Sequence, residues 1–124
     1  MSILNVNHAA LRVRDLKKAV HFYRDLLGIP TARIIGPVED PRIVFLQGIE
    51  LSAVQPGSEE AGFSHLGLEV RHIEKVCEEL KGKGITFDTP LRDVTFDEEG
   101  KAVKIITFKD PDGNRVELVE WRNL

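Results

Sequence analysis

Residues 8–20, "HAALRVRDLKKAV", and residues 65–77, "HLGLEVRHIEKVC", share the pattern His-x-x-Leu-x-Val-Arg-x-(Leu/Ile)-x-Lys. An internal repeat of this kind limits the chain to folds assembled from two like units that bury a face together. The 124 residues suffice for one domain, or for two half-domains sharing a core, and are too few for two independent domains. The repeat therefore predicts one domain over 1–124, with a first module over about 5–55, a linker over about 56–62 and a second module over about 63–122.

Each copy reads as a strand running into a helix. In "FSHLGLEV" (63–70) the alternation sets Leu66, Leu68 and Val70 on one face and His65, Gly67 and Glu69 on the other, the period of a half-buried strand. Asp15 is a good N-cap; Leu16, Ala19, Val20, Tyr23, Leu26 and Leu27 then recur at helical spacing up to Gly28, which predicts a helix over 16–27. In the second copy Ile73, Val76, Cys77 and Leu80 form the stripe, Gly82 or Gly84 ends it, and His72 is a poor cap, giving a helix over 72–81. Phe22, Tyr23 and Phe45 are expected in the core, and Trp121 in a site wall or an interface.

Short β-like runs follow each helix: "ARII", "RIVFLQG" and "IELSAV", then "ITFDTP", "LRDVTF", "VKIITFKD" and "NRVELVEW". "DPDGN" (110–114) predicts a hairpin turn, with Pro111 presetting φ and Gly113 free to adopt positive φ. The order is strand, helix and three strands, given twice. The fold class expected is α+β, two tandem βαβββ modules. The loop at 96–101, "FDEEGK", reads as charged and solvated.

The repeat extends to a second residue pair. Glu50 in "GIELSAV" and Glu117 in "RVELVEW" occupy like places near the ends of the two halves. His8 and Glu50 are thus matched by His65 and Glu117. Two copies related by an approximate two-fold axis would bring their polar faces into one cleft. Two imidazoles and two carboxylates there suit a six-coordinate divalent ion, namely nickel, cobalt, zinc, manganese or iron, with two positions left for water or substrate. Two carboxylates also neutralise a divalent ion, so the cluster carries no net charge.

His-x-x-Leu-x-Val-x-Asp-Leu, "FYRDLLG", "IEL", the second strand-opening histidine and "DPDGNRVEL" resemble the vicinal oxygen chelate superfamily, the fold of glyoxalases, bleomycin-resistance proteins and dioxygenases, over about 5–121. The resemblance implies paired βαβββ modules whose sheets curl around a shared metal-binding funnel, a homodimer, and His8, Glu50, His65 and Glu117 as the metal ligands. A His, Glu, His, Glu set is similar to that of bacterial glyoxalase I. It implies a lyase or isomerase acting on a 2-hydroxycarbonyl or hemithioacetal through a metal-stabilised enediolate, with Glu117 as the base and Glu50 as its near-symmetric rival. Arg12 matches the place where glyoxalase I holds a carboxylate of glutathione; the competing reading pairs it with Glu69. Val54 stands where that family carries an asparagine, which leaves the thiol open. A methylmalonyl-CoA epimerase-like enzyme, a non-catalytic drug-binding protein and an extradiol-type dioxygenase are the alternatives; four protein ligands count against the last, whose relatives use three.

Charge and hydropathy narrow the partners. The net charge of −3 comes from interspersed charges, with no basic stripe for a nucleic acid. No apolar run approaches a bilayer span and the start lacks a signal-peptide pattern, so no membrane partner and a cytoplasmic location are expected. The partner left is a small-molecule carbonyl compound or thiol conjugate. Cys77, on the apolar helix stripe, reads as a buried structural thiol, and His21 and His72 as solvated.

Overall fold

The computed structural model describes residues 3–55, 60–95 and 102–122. The chain has the α+β class expected, and it runs twice through strand, helix and three strands. The first pass is β1 (Ile3–Val13), α1 (Leu16–Val20) continuing as a π-helical segment (His21–Leu26), β2 (Thr31–Ile35), β3 (Ile43–Leu46) and β4 (Ile49–Ala53). The second is β5 (Gly62–Val70), α2 (Ile73–Gly82), β6 (Arg92–Thr95), β7 (Ala102–Lys109) and β8 (Arg115–Arg122). Two compact units result: His8–Ser64, and His65–Leu124 with Met1–Asn7. The linker at 56–62 falls mainly, and the loop at 96–101 wholly, outside the described residues.

Both units have the same strand order. In the first it is β2-β3-β4-β1, and in the second β6-β7-β8-β5. In each, the opening strand pairs parallel with the last and the other pairs are antiparallel. A parallel partner requires a crossover, and the helix with two strands supplies it. Alternation then sorts the side chains. Leu51 and Leu118, each following a glutamate, are 0% exposed and pack toward the helix of their own unit: Leu51 with Val20, Val44 and Leu46, and Leu118 with Ile73, Val76, Cys77 and Leu80. Such burial stabilises by about 1.5–3 kcal/mol per side chain. It also commits Glu50 and Glu117 to the opposite face.

Two local expectations are corrected, and a third, that His72 is a poor cap, holds. The first helix is not α-helical over 16–27: after Val20 it widens, with Leu27 N donating to Phe22 O at 3.0 Å. Each residue advances less around the wider turn, so Leu26 and Leu27 rotate off the apolar stripe and are exposed, as is Phe22; Tyr23 stays packed on the core. "ITFDTP" is not a strand. A single bridge joins Phe87 to Phe108, and side chains do the rest, Thr107 N donating to Thr89 Oγ1 at 3.0 Å; Pro90 has no N–H to extend a ladder. α2 begins at a left-handed residue, His72 (φ 57°), whose side chain makes no cap. The Glu120 carboxylate caps it instead, accepting from His72 N at 2.7 Å and Ile73 N at 3.2 Å, so an anion sits at the positive end of the helix.

The other local readings hold. Asp15 Oδ1 accepts from Lys18 N at 3.1 Å as the N-cap of α1. The turn at 110–114 is held by Asp110, whose Oδ1 accepts from the backbone N–H of Asp112 and Asn114, with Gly113 at φ 88°. The Asn114 side chain, donating Nδ2 to Asp110 Oδ2 at 2.9 Å, and then these backbone bonds hold the Asp110 carboxyl below the usual range. Cys77 is buried on α2, where burial pushes its thiol pKa up, the state of an inert structural cysteine.

Candidate metal centre

In the first unit the register of β1 against β4 places Ala10 beside Glu50. His8 is two residues before Ala10, on the same face. Ala10 has no side chain beyond Cβ to fill the space between them, and the imidazole and carboxylate lean together: His8 Nε2 lies 3.9 Å from Glu50 Oε2. That is beyond a hydrogen bond. Two donors each about 2.1 Å from one ion would be about 3.0 Å apart at a right angle and about 4.2 Å apart on opposite sides. The spacing therefore fits a pair that shares an ion.

The surroundings set the protonation states. His8 is 4% exposed, and the ring of Phe45 meets it edge-on at 6.0 Å between centroids. Burial pushes its pKa down to about 4, so the imidazole is neutral near pH 7, the form that binds metals. Burial pushes the Glu50 carboxyl up, against a smaller opposing pull from Arg12. A carboxylate in such a place is stabilised by a cation beside it.

The second unit repeats the arrangement. Gly67 is the register partner of Glu117, His65 precedes Gly67 by two, and His65 Nε2 lies 3.7 Å from Glu117 Oε1. Each small residue, Ala10 or Gly67, is thus flanked by an imidazole from its own strand and a carboxylate from the neighbouring one. Both donor pairs have the chemistry that a divalent ion of the nickel, cobalt, zinc, manganese or iron type accepts.

The neighbours differ between the units. On β3 the partner of Glu50 is Phe45; on β7 the partner of Glu117 is Thr107. Thr107 is buried, its hydroxyl donates to Asp88 Oδ1, and it lies 3.0 Å from Thr89 Oγ1. Trp121 packs with Val94 against Val103, Ile105 and Val119, on the face that carries Glu117. Arg12 lies two residues beyond Ala10, beside Ser52, on the face of His8 and Glu50. Glu69, its counterpart in the repeat, accepts from Asn5 Nδ2 at 2.9 Å. His21 is exposed, 3.2 Å from Asp25.

Phe45 is buried, as expected of a core residue, but sequence reasoning missed its place beside Glu50 and did not single out Thr107 or Arg33. A strand register would have found all three, because each lies in the row of residues that contains Glu50 or Glu117.

Residues 5–118 match the family model described as "Glyoxalase/Bleomycin resistance protein/Dioxygenase superfamily". The chain belongs to this superfamily. It is 26% identical to the lactoylglutathione lyase of Haemophilus influenzae over 94% of this chain and 93% of that one. It is 30% identical to the mitochondrial methylmalonyl-CoA epimerase of Mus musculus over 91% of this chain and 71% of that one. This superfamily member spans about half the length of its yeast relatives, 48% of a lactoylglutathione lyase of Schizosaccharomyces pombe and 45% of a glyoxalase I of Saccharomyces cerevisiae. Among solved structures, a methylmalonyl-CoA epimerase from Mycobacterium tuberculosis shares its fold with a TM-score of 0.73 at 22% identity, covering 98% of this chain and 90% of the other.

Proposed function

We propose that this chain is a divalent-metal-dependent enzyme of the glyoxalase I type, acting on a 2-hydroxycarbonyl compound or a hemithioacetal, with His8, Glu50, His65 and Glu117 as the ligands of one ion. The observation that carries the reading is the repeated register. A histidine and a glutamate flank a small residue at the same offset in both modules. The similarity to lactoylglutathione lyases across nearly the whole chain supports the reaction type.

A bound divalent ion supplies Lewis acidity to the substrate's oxygens and lowers the acidity barrier at the adjacent C–H. The chain's own residues do the rest. Glu117 is the base: it takes the proton from the carbon that bears the hydroxyl and returns it to the neighbouring carbon, while the hydroxyl proton passes to the former carbonyl oxygen. Its place beside a threonine network suits a carboxylate that alternates between ligand and base. Glu50, buried beside Phe45 and with its pKa raised, needs a cation beside it to stay charged and serves mainly as a ligand. Arg12 neutralises an acidic group on the substrate or its thiol. The cytoplasmic location and the homodimer belong to the same reading; no helix among the described residues is long and apolar enough to cross a membrane.

A second reading is supported by the 30% identity to a methylmalonyl-CoA epimerase. Epimerisation uses the same elements, a metal-polarised carbonyl and a base at the adjacent carbon. Assays of the nickel-, cobalt-, zinc- and manganese-loaded protein on the methylglyoxal–glutathione hemithioacetal and on methylmalonyl-CoA separate the two. Turnover of the first, lost in Glu117→Gln with metal retained, is expected. Turnover of methylmalonyl-CoA alone would replace the lyase reading with the epimerase one.

A further inference from the structure

β2 carries an irregularity that redirects one side chain. Thr31 pairs with Leu46, but the next pair is Arg33 with Phe45, so two residues of β2 are spent against one of β3. Ala32 is the extra residue of a β-bulge. Without it Arg33 would pair with Val44, whose side chain lies in the apolar core under α1. With it, Arg33 falls in the row of Phe45 and Glu50, on the face that carries His8, Ala10 and Arg12. Arg33 Nη1 is withdrawn from solvent there. A single bulge thus moves a guanidinium from a face that would reject it to the face of the candidate site.

The charge on that face is the second observation. Along the strands of the first unit it displays His8, Ala10 and Arg12 from β1, Glu50 and Ser52 from β4, Ile43 and Phe45 from β3, and Arg33 and Ile35 from β2. Two guanidiniums, Arg12 and Arg33, and one carboxylate, Glu50, share that face. Arg12 and Arg33 are on the outer strands of this unit's sheet, three strand spacings or about 14 Å apart, with Glu50 on β4 between them. Arg12 already has a family role; Arg33 has none.

We infer that Arg33 is a substrate-recognition residue that binds an oxyanion, a carboxylate or a phosphate, at the end of the substrate remote from Arg12. This deepens the proposed function, on which it rests for the position of the reacting centre, by making the substrate an extended, acidic molecule. A planar fork of donors suits either oxyanion. A carboxylate is what a glutathione conjugate would present, and a phosphate what a coenzyme A thioester would present.

The test is calorimetric titration of the full chain, both as purified and after chelation, with three probes: S-methylglutathione, its diethyl ester, and adenosine 3′,5′-bisphosphate. Wild type is expected to bind one of the two anions at one per chain and to bind the ester at least tenfold more weakly than the acid if the carboxylate arm is the source. Arg33→Gln should weaken that anion at least tenfold, and Arg33→Lys should recover part of the loss. Unchanged affinity in a folded Arg33→Gln variant, or no binding of either anion by wild type, overturns the inference. The chelated arm separates it from the metal reading: anion binding that depends on Arg33 can persist in a protein that binds no metal, and loss of the Arg33 effect leaves metal stoichiometry untouched.

Discussion

Glu50 has a phenylalanine as its cross-strand neighbour and Glu117 has a threonine, although the two occupy the same position in the two modules. The first carboxylate sits in apolar surroundings that raise its pKa; the second sits next to a chain of hydroxyl and carboxyl groups running from Thr107 to Asp88 and Thr89. What the duplication repeats is the geometry that coordination needs: a strand register, a small residue, an imidazole and a carboxylate. What it varies is the neighbour that, on the proposed function, would set how easily the carboxylate leaves the ion. Two-fold likeness at the ligands and unlikeness one strand away is how a near-symmetric scaffold would carry an asymmetric proton transfer.

The largest expected effect is the one that breaks this asymmetry. Glu117→Gln should lower kcat about 10²–10⁴-fold, the range for removing a general base, while Glu50→Gln should act mainly on metal affinity. Steady-state kinetics at saturating metal, alongside metal titration, checks the split; equal losses in kcat would make the two glutamates interchangeable. Next come the paired core leucines. Leu51→Ala and Leu118→Ala, at equivalent and fully buried places, should each cost about 2–5 kcal/mol in denaturant unfolding, and a large inequality would show that the modules differ in packing as well as in neighbours.

The helix caps give a smaller contrast. Asp15 caps α1 from the adjoining residue, whereas α2 is capped from β8 by Glu120, 48 residues away in sequence. Asp15→Ala and Glu120→Ala should each cost about 0.5–2 kcal/mol. Only the second should loosen β8 near Glu117, an effect that hydrogen exchange of the α2 and β8 amides would detect.

A further contrast is the pH dependence that His8 and Glu50 give the first module. His8 in the folded, metal-free protein titrates at about 4 against 6.5 for an ordinary histidine. The unfolded chain therefore binds the extra proton between those values, and the stability from the neutral ring is complete above about 6.5 and is lost as pH falls toward 4. Glu50 has the opposite sign: its raised pKa favours the folded state where the carboxyl is protonated, and that contribution fades as pH rises through its folded value. In chelated protein, His8→Gln should flatten the acid limb of the stability profile; an unchanged limb would place its origin elsewhere.

The sequence made the strand, helix and three-strand order, the α2 stripe, the 110–114 turn and each His–Glu pair legible, because each depends on spacing along the chain. Features set by distant partners were not. Nothing near His72 announces that Glu120 will cap it, and nothing in "PTARII" marks Ala32 as the extra residue that turns Arg33 around. "ITFDTP" has strand-like alternation but spends its polar side chains on Thr107, and the widening after Val20 takes Leu26 and Leu27 off a stripe that the sequence draws correctly for an ideal α-helix.

The central claim, that the two pairs hold one ion, is tested most directly by metal analysis and titration of nickel, cobalt, zinc and manganese into chelated wild type, His8→Ala and His65→Ala. The account predicts one ion per His8–Glu50–His65–Glu117 set in wild type and loss of that binding in both variants, since each removes one of four ligands. Stoichiometric binding that survives either substitution, or no binding of any of the four metals by folded wild type, would contradict it.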